Sequence, residues 1–248
     1  MSRKLSGHRF RILLLIFILL VSIYLFLHSS IFNVDRIEVQ GNDKVSREEV
    51  LALSGLAPGI NIFKLDRDLS SQAIEVHPMV KKAEIIRQLP RTLVIKINER
   101  QIWAFIPIPY SDVVLCIDDT GVCFEKLNHP ALNNYPIITM DKMPEYVNLG
   151  QVVNAQVTDM VRQVWQSISD GDRQQISEFH YLNQENALKI YTLKGTEIRF
   201  GDMERLEEKT QTLTQAIQIE SDFEKQGQDV LEYIDIRFKG EPVVKTKT

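Results

Sequence analysis

The stretch "CIDDTGVCF" (residues 116–124) contains the residue types in this chain that are best suited to catalysis or metal binding. It contains the only two cysteines, Cys116 and Cys123, on either side of the adjacent carboxylates Asp118 and Asp119. Two thiols in such a stretch could bind a metal, form a disulfide or supply a nucleophile. Adjacent aspartates before a glycine are more typical of a tight turn, which would leave two small residues in a hairpin.

The register of this hairpin separates these possibilities. A two-residue loop would place Cys116 directly opposite Cys123, but it requires a positive φ at Thr120, which a β-branched residue resists. A type I turn that starts at Asp118, with Gly121 in the left-handed region, fits the residue preferences better. The facing pairs would then be Asp118 with Val122, Cys116 with Phe124 and Cys123 with Ile117. We expect two free, apolar thiols, and a disulfide stays open because an extracytoplasmic location permits one.

The remainder of the chain carries no recognisable catalytic pattern. The five histidines are isolated in the sequence: His8, His28, His77, His129 and His180. There is no zinc-type spacing, glycine-rich phosphate loop, G-x-S-x-G elbow or H-E-x-x-H motif. Trp103 and Trp165 are most simply core or interface anchors. We expect no enzyme activity, no cofactor and no metal.

Charge is distributed unevenly along the chain. The net charge is −4, yet the only formal charges before Asp35 are Arg3, Lys4, Arg9 and Arg11. The chain from residue 12 onward is therefore acidic, with 25 basic and 33 acidic residues. Nucleic-acid surfaces need clustered Lys and Arg to displace counterions from phosphates, so a nucleic-acid partner is not expected.

An apolar segment follows the basic start. Residues 12–27, "ILLLIFILLVSIYLFL", would reach about 24 Å as a helix, and continuation to residue 32 gives about 31 Å, enough for a ~30 Å hydrocarbon core. A cleaved signal peptide is the alternative, but no Ala-x-Ala-like site follows. We predict a cytoplasmic tail at 1–11 and a transmembrane helix at 12–32. The positive-inside rule then places the remainder outside the cytoplasm.

Residues 34–101 predict a compact β-α-α-β-β unit. A strand ends at Gly41, one helix begins at Ser46 with Glu49 at capping-box spacing, and a second begins at Asp66. The apolar stripe expected on the second helix is Leu65, Leu69, Ala73 and Val76. Strands over 79–88 and 92–99 complete the unit. In the last strand we expect Leu93, Ile95 and Ile97 to face the helices, and Val94, Lys96 and Asn98 to face away.

Residues 102–240 predict a mixed β domain with two helices packed on a sheet. The first helix carries one apolar stripe: Val153, Val157, Met160, Val161, Val164 and Ile168. The second is expected to begin at an Asp202 N-cap, with Leu206, Leu213 and Ile217 facing the core. Strands are predicted at 176–182, 186–193, 195–200 and 230–238, followed by a C-terminal tail at 241–248.

This layout resembles the FtsQ/DivIB family of bacterial cell-division proteins. The unit over 34–101 resembles the family's POTRA domain. The "CIDDTGVCF" hairpin is similar to a hydrophobic-Asp-x-x-Gly-x-x-Phe signature of its β domain. "IRFGDMERLEEKTQTL" and "YIDIRF" resemble its late strand-Gly-helix and its closing Y-x-D-x-R strand. The resemblance implies an α+β fold: one N-terminal transmembrane helix, a POTRA domain and a β domain.

The same resemblance implies a non-enzymatic scaffold, enriched at the division septum, that regulates septal cell-wall synthesis. Its expected partners are FtsB/DivIC-type and FtsL-type single-span coiled-coil proteins, other division proteins, and the bilayer through its helix. A POTRA-bearing transport or outer-membrane assembly factor is the alternative, although such a protein would require the many alternating strands of a barrel.

The closing strand is the predicted partner site. It ends near the C-terminus, so we expect it at a sheet edge whose unpaired backbone groups accept a partner strand. The residues expected to contact the partner are Tyr233, Ile234, Asp235, Ile236, Arg237, Phe238, Lys239 and Gly240.

Overall fold

A computed structural model describes residues 4–128, 135–225 and 231–246. The chain divides into two compact units, Met1–Glu99 and Arg100–Thr248. Some residues singled out above, Arg3 and His129 among them, lie outside the described part.

The N-terminal helix α1 spans Lys4–Leu27. Within the described residues it is the one helix long and apolar enough to cross a membrane, over His8–Leu27. Its side chains are exposed from His8 to Phe26, as expected of a helix surrounded by lipid. The helix begins within the predicted tail 1–11 and ends at Leu27, before the predicted end of the span at residue 32. It gives way to a 3₁₀ turn at Ser30–Phe32, and Phe32 is buried in the core of the first unit.

The first unit has the predicted β-α-α-β-β order. Its elements are β1 (Arg36–Gln40), α2 (Arg47–Ser54), α3 (Arg67–Glu75), β2 (Val80–Gln88) and β3 (Thr92–Glu99). The sheet order is β1-β3-β2, with β1 parallel and β2 antiparallel to the central β3. Both helix starts agree with the sequence, because Ser46 and Glu49 form a capping box and the Asp66 side chain caps α3.

The predicted apolar face of α3 is only partly correct. Leu69 is 66% exposed and Val76 is 76% exposed, whereas the buried side chain of the helix is Ile74. The other two predicted residues do face inward, since Leu65 packs against the core and Ala73 is half-buried. Leu65 precedes the Asp66 cap on non-helical backbone, so its position does not set the phase of the helix.

The alternation in β3 is largely as predicted. Leu93, Ile95 and Ile97 are buried, and Lys96 and Asn98 are exposed. Val94 differs, because it is buried on the opposite face. It lies on the central strand, paired with a residue of each neighbouring strand, which covers a side chain that an edge strand would leave exposed.

Glu99 at the end of β3 is a buried carboxylate with a structural role. It accepts hydrogen bonds from the backbone N–H groups of Asp43, Lys44 and Val45, at 2.8 to 3.1 Å. Burial alone raises the pKa of Glu99, but the bonds from Lys44, Val45 and Asp43 outweigh it, so its pKa lies below its usual range. This carboxylate fixes the loop after β1 to the end of β3.

The second unit is built from two sheets and two long helices. Its strands are β4 (Ala104–Pro107), β5 (Val113–Ile117), β6 (Val122–Asn128), β7 (Ile138–Met140), β8 (Gln151–Val152), β9 (Ile176–Leu182), β10 (Ala187–Thr192), β11 (Glu197–Gly201), β12 (Leu231–Asp235) and β13 (Val243–Thr246). Its helices are α4 (Ala155–Ser167), the short α5 (Asp170–Arg173) and α6 (Leu206–Lys225). The sheet orders are β4-β5-β6-β8 and β13-β12-β11-β10-β9-β7, and the core cluster contains residues of both sheets and of α4 and α6.

The two long helices differ in how well the sequence predicts them. All six residues of the stripe predicted for the first helix are buried, from Val153 to Ile168. The second helix, α6, begins at Leu206 and not after Asp202. Gly201 and Arg205 have positive φ, which keeps the chain between them out of helical geometry. Asp202 instead pairs with the buried Lys209 at 2.6 Å.

The cysteine hairpin has the predicted turn. Gly121 has φ +82°, its N–H donates to Asp118 O at 2.9 Å, and Asp118 N–H donates to Val122 O at 3.1 Å. Cys123 faces Ile117 as predicted, but a further irregularity sets Cys116 opposite Glu125 and not Phe124. The two cysteines are not joined in a disulfide, and both are buried.

Asp118 is a buried turn residue whose carboxylate is fully engaged. It accepts from the N–H and hydroxyl of Thr120, from Val122 N–H and from the Arg100 guanidinium. Burial raises the pKa of Asp118, but the bonds from Thr120, Arg100 and Val122 lower it below its usual range. The pair Asp118–Asp119 is therefore part of the hairpin scaffold.

The face assignment of β3 predicts different effects of two neighbouring substitutions. Ile95→Ala should lower the free energy of unfolding of a 34–101 fragment by about 2–5 kcal/mol, because it removes buried methyl groups and leaves a cavity. Lys96→Ala, on the exposed face, should change it by less than about 0.5 kcal/mol. Thermal and urea melts followed by circular dichroism measure both, and equal losses would contradict the assignment.

Glu99 predicts a pH dependence. Its folded pKa is lowered, so its stabilisation is fully present above the unfolded value of about 4.3 and is lost as the pH falls through the folded value. Glu99→Gln should lower the free energy of unfolding at neutral pH by about 1.5–3 kcal/mol, since it removes charged hydrogen bonds. It should also flatten the loss of stability below about pH 4.3. The control is Glu84→Gln, on an exposed residue of β2, and a wild-type pH profile for Glu99→Gln would refute the role.

Candidate partner-binding site

The closing strand does not lie at the edge of its sheet. β12 pairs in parallel with β11 on one side and antiparallel with β13 on the other. The prediction of an edge at β12 is therefore wrong, because Val243–Thr246, expected to be tail, fold back as β13. Among the described residues, β13 pairs with β12 alone, so it forms the edge.

The eight residues predicted to contact a partner fall into two groups. Ile234, Asp235 and Ile236 are buried, and Tyr233 is half-buried. The exposed ones are Arg237, Phe238, Lys239 and Gly240, in the turn between β12 and β13. Phe238 is 68% exposed, and Gly240 has φ +113° with open space around it. The structure thus leaves the turn accessible and places the strand proper inside the sheet.

A local ion pair shapes this turn. The Asp235 carboxylate accepts from the N–H of Arg237 at 3.1 Å and from its guanidinium at 2.7 Å. Burial raises the pKa of Asp235, but the bonds from Arg237 lower it below its usual range. The Arg237 stem crosses Gly201, where a Cβ would lie 2.9 Å from Arg237 Cγ. Gly201, the last residue of β11, is therefore in contact with the Asp-x-Arg segment that begins at Asp235, the last residue of β12.

One face of the six-stranded sheet is polar beside this edge. The Tyr233 ring lies between two cations, with the Arg199 guanidinium 3.6 Å and the Lys245 ammonium 5.5 Å from its centre. Lys245 also pairs with Glu232 at 2.9 Å, which links β13 to β12.

The polar face continues onto β10 and β11 through Glu197. Its carboxylate pairs with Arg199 at 2.7 Å and with Lys189 at 3.0 Å, and accepts from the Tyr191 hydroxyl at 3.0 Å. Burial, together with the bond to Glu197, raises the pKa of Tyr191 to about 12. This face therefore carries a network of ion pairs and hydrogen bonds around aromatic rings.

β13 itself is short and open. All four of its residues are exposed, with Val243 at 57% and Val244 at 37%. Pro242 precedes the strand and cannot donate a ladder bond. The sequence reasoning missed β13, although two β-branched valines after a Gly-Glu-Pro turn are a signal for a hairpin.

The remaining candidates for chemistry are engaged in local contacts. His77 Nδ1 accepts from Met79 N–H at 3.2 Å, and His180 Nδ1 lies 2.7 Å from the Thr139 hydroxyl. Trp103 and Trp165 pack against the core of the second unit. Across the described ranges, no group of three His, Cys, Asp or Glu side chains could hold a metal ion.

Comparison with known proteins shows which family the two units match. Residues 32–100 match the FtsQ-type POTRA domain, and residues 111–237 match the C-terminal domain of the cell division protein FtsQ/DivIB. The first match ends one residue past the first structural unit, and the second match lies within the second unit.

Named relatives agree with these matches. The cell division protein FtsQ of Syntrophotalea carbinolica is 37% identical over 45% of this chain and 38% of its own length. DivIB of Bacillus subtilis is 28% identical over 73% of this chain and 65% of its own length, so the chain spans less than two-thirds of either relative. DivIB of Clostridium tetani is 29% identical over 93% of this chain and 86% of its own length. The chain belongs to the FtsQ/DivIB family of cell-division proteins, with an FtsQ-type POTRA domain followed by the family's C-terminal domain.

Proposed function

We propose that this protein is a membrane-anchored, non-enzymatic scaffold of the division machinery. It binds FtsB/DivIC-type and FtsL-type single-span partners at the septum and thereby regulates septal cell-wall synthesis. Its N-terminus lies in the cytoplasm, and the chain that follows α1 lies outside it. The observation that supports this most is the exposed edge strand β13 in a unit that matches the family's C-terminal domain. The match also argues against the alternative of a transport or outer-membrane assembly factor.

The binding mode follows from the position of β13. A partner strand pairs with the outer side of β13. Its main-chain N–H and C=O groups bond to the groups of β13 that do not pair with β12. The exposed side chains of Val243 and Val244 provide apolar contact, and Phe238 supplies an aromatic anchor in the adjoining turn. This revises the expected contact set from the whole of Tyr233–Gly240 to its exposed part, Arg237–Gly240, together with β13.

Buried members of the original set act indirectly. Asp235 holds the turn through Arg237, and Tyr233 supports β13 through Lys245. Ile234 and Ile236 hold β12 in the core. These residues position the edge without touching the partner.

The edge is tested by capture of the purified extracytoplasmic part of a DivIC-type partner. Val243→Asp and Phe238→Ala should each weaken the complex by about tenfold or more, because residues at interface centres contribute 2 kcal/mol or more. The matched control is Leu193→Asp, a 65% exposed leucine in the turn after β10. Wild-type affinity for both edge variants, with unchanged circular dichroism, would exclude this edge.

The proposed membrane topology predicts where a fused reporter will be active. A reporter active only outside the cytoplasm should work when fused after Thr248 and fail when fused before Arg3. The reverse pattern, or a mature N-terminus near Ser30, would contradict a membrane anchor with its N-terminus inside.

A further inference from the structure

The end of α1 is joined to the first unit by a buried asparagine. Asn61 is 8% exposed, and its side-chain amide donates to Leu27 O at 3.0 Å and to Ser29 O at 3.4 Å. Carbonyls in the last turn of a helix lack intrahelical partners, so this amide caps the C-terminus of α1. Its own oxygen accepts from Phe63 N–H at 3.0 Å, which fixes the amide orientation.

Further contacts reinforce this joint. Phe32 packs edge-on against Phe26 of α1 at 5.2 Å and against Phe63 at 5.0 Å. Main-chain bonds link Ile62 N–H to Phe32 O at 2.8 Å and Val34 N–H to Ile60 O at 2.8 Å. The helix therefore passes into the unit through packed and hydrogen-bonded residues, so the adjoining surface is held close to the membrane that α1 spans.

This end of the first unit, which we call the anchor-proximal end, comprises residues 29–35, 57–63 and 89–91. The third segment belongs to it because Asp35 N–H donates to Arg91 O at 2.9 Å and Arg91 Nε donates to Asn33 O at 3.2 Å.

The anchor-proximal end exposes three large aliphatic side chains. Ile31 is 53% exposed, Ile60 is 37% exposed and Leu89 is 59% exposed. Its formal charges are Asp35 and Arg91, which lie 3.9 Å apart, and residues 29–34 and 57–63 carry none. Exposed large aliphatic side chains that cluster at one end of a domain mark a surface that another apolar phase covers.

The length of the anchor is consistent with such a surface. The sixteen uncharged residues from Ile12 to Leu27 reach about 24 Å, roughly 6 Å less than a typical hydrocarbon core. Apolar residues just beyond the helix can cover this difference.

We propose that the anchor-proximal end is a lipid-contacting surface, in which Ile31, Ile60 and Leu89 enter the interfacial layer of the outer leaflet. The POTRA unit then contacts the bilayer surface, and its orientation relative to the bilayer is restricted. This inference rests on the proposed membrane anchoring and extends it to a second segment of the chain.

The opposite end of the unit provides an internal control. Val76 is 76% exposed, at the end of α3 that leads into Val80 and its strand partner Glu99. β3 runs eight residues from the anchor-proximal end to Glu99, a distance of about 23 Å. Val76 is thus equally apolar and more exposed than Ile60, but far from the expected bilayer.

The test uses the full chain in vesicles of phosphatidylcholine and phosphatidylglycerol. A polarity-sensitive fluorophore is attached to Ile60→Cys or Val76→Cys, and the unsubstituted chain, with its buried Cys116 and Cys123, gives the background. We expect the label at position 60 to shift its emission to the blue, to lose quenching by aqueous iodide and to gain quenching by nitroxide lipids. The label at position 76 should remain quenched by iodide.

The outcomes separate this inference from the proposed function. Equal iodide quenching at the two positions in a chain that floats with the vesicles would overturn lipid contact while leaving the anchor intact. Protection from iodide without quenching by nitroxide lipids would indicate burial against protein and would also overturn it. A chain that fails to float would overturn the anchor and this inference together.

Discussion

Buried carboxylates at strand ends are the constraint on which both units depend. Glu99 accepts three main-chain N–H bonds at the end of β3, and Asp118 accepts two in the turn after β5. Asp235 accepts from the main chain and the guanidinium of Arg237 after β12. A sheet satisfies its own backbone groups, but the turns that leave it do not, and an unpaired buried N–H costs about 1–3 kcal/mol. A short acidic side chain is an acceptor strong enough to hold such a turn closed.

The pKa shifts of these carboxylates show why the structure depends on particular acidic residues. Each has a pKa below its usual range although burial opposes ionisation, because its donors favour the charged form. In an enzyme, a carboxylate in a buried site is commonly shifted upward to carry a proton. Here the shift runs the other way, which suits groups that stay ionised and hold backbone in place. Such charges suit the proposed scaffold role, since they fix the geometry of edges and turns.

The sequence predicted elements best where periodicity and capping agree. The buried stripe of α4, the capping box at Ser46 and the turn at Gly121 all depend on local rules, and all are present. The errors arise where phase or pairing is set from outside the segment. α3 was phased from a residue that precedes its cap, and the start of α6 is delayed by positive φ at Gly201 and Arg205.

The misplacement of the sheet edge has a similar origin. Strand order is a property of the whole sheet, and four residues near the C-terminus are enough to convert an edge strand into an inner one. The family resemblance predicted a late strand at "YIDIRF", and β12 lies there over Leu231–Asp235. It did not predict which strand lies next to β12. Local patterns therefore locate β12 while leaving open which of its two sides is covered.

An edge strand that binds a partner must also avoid binding copies of itself. β13 combines the features that limit such pairing: it has four residues, Pro242 ends its ladder on one side, and Lys245 is tied into the sheet face through Glu232 and Tyr233. A partner gains from this strand only if it also contacts the turn with Phe238 and Lys239, since main-chain bonds carry no sequence information. In the proposed complex, specificity lies in the turn and affinity in the strand, and the Asp235–Arg237 pair that shapes the turn lies at their junction.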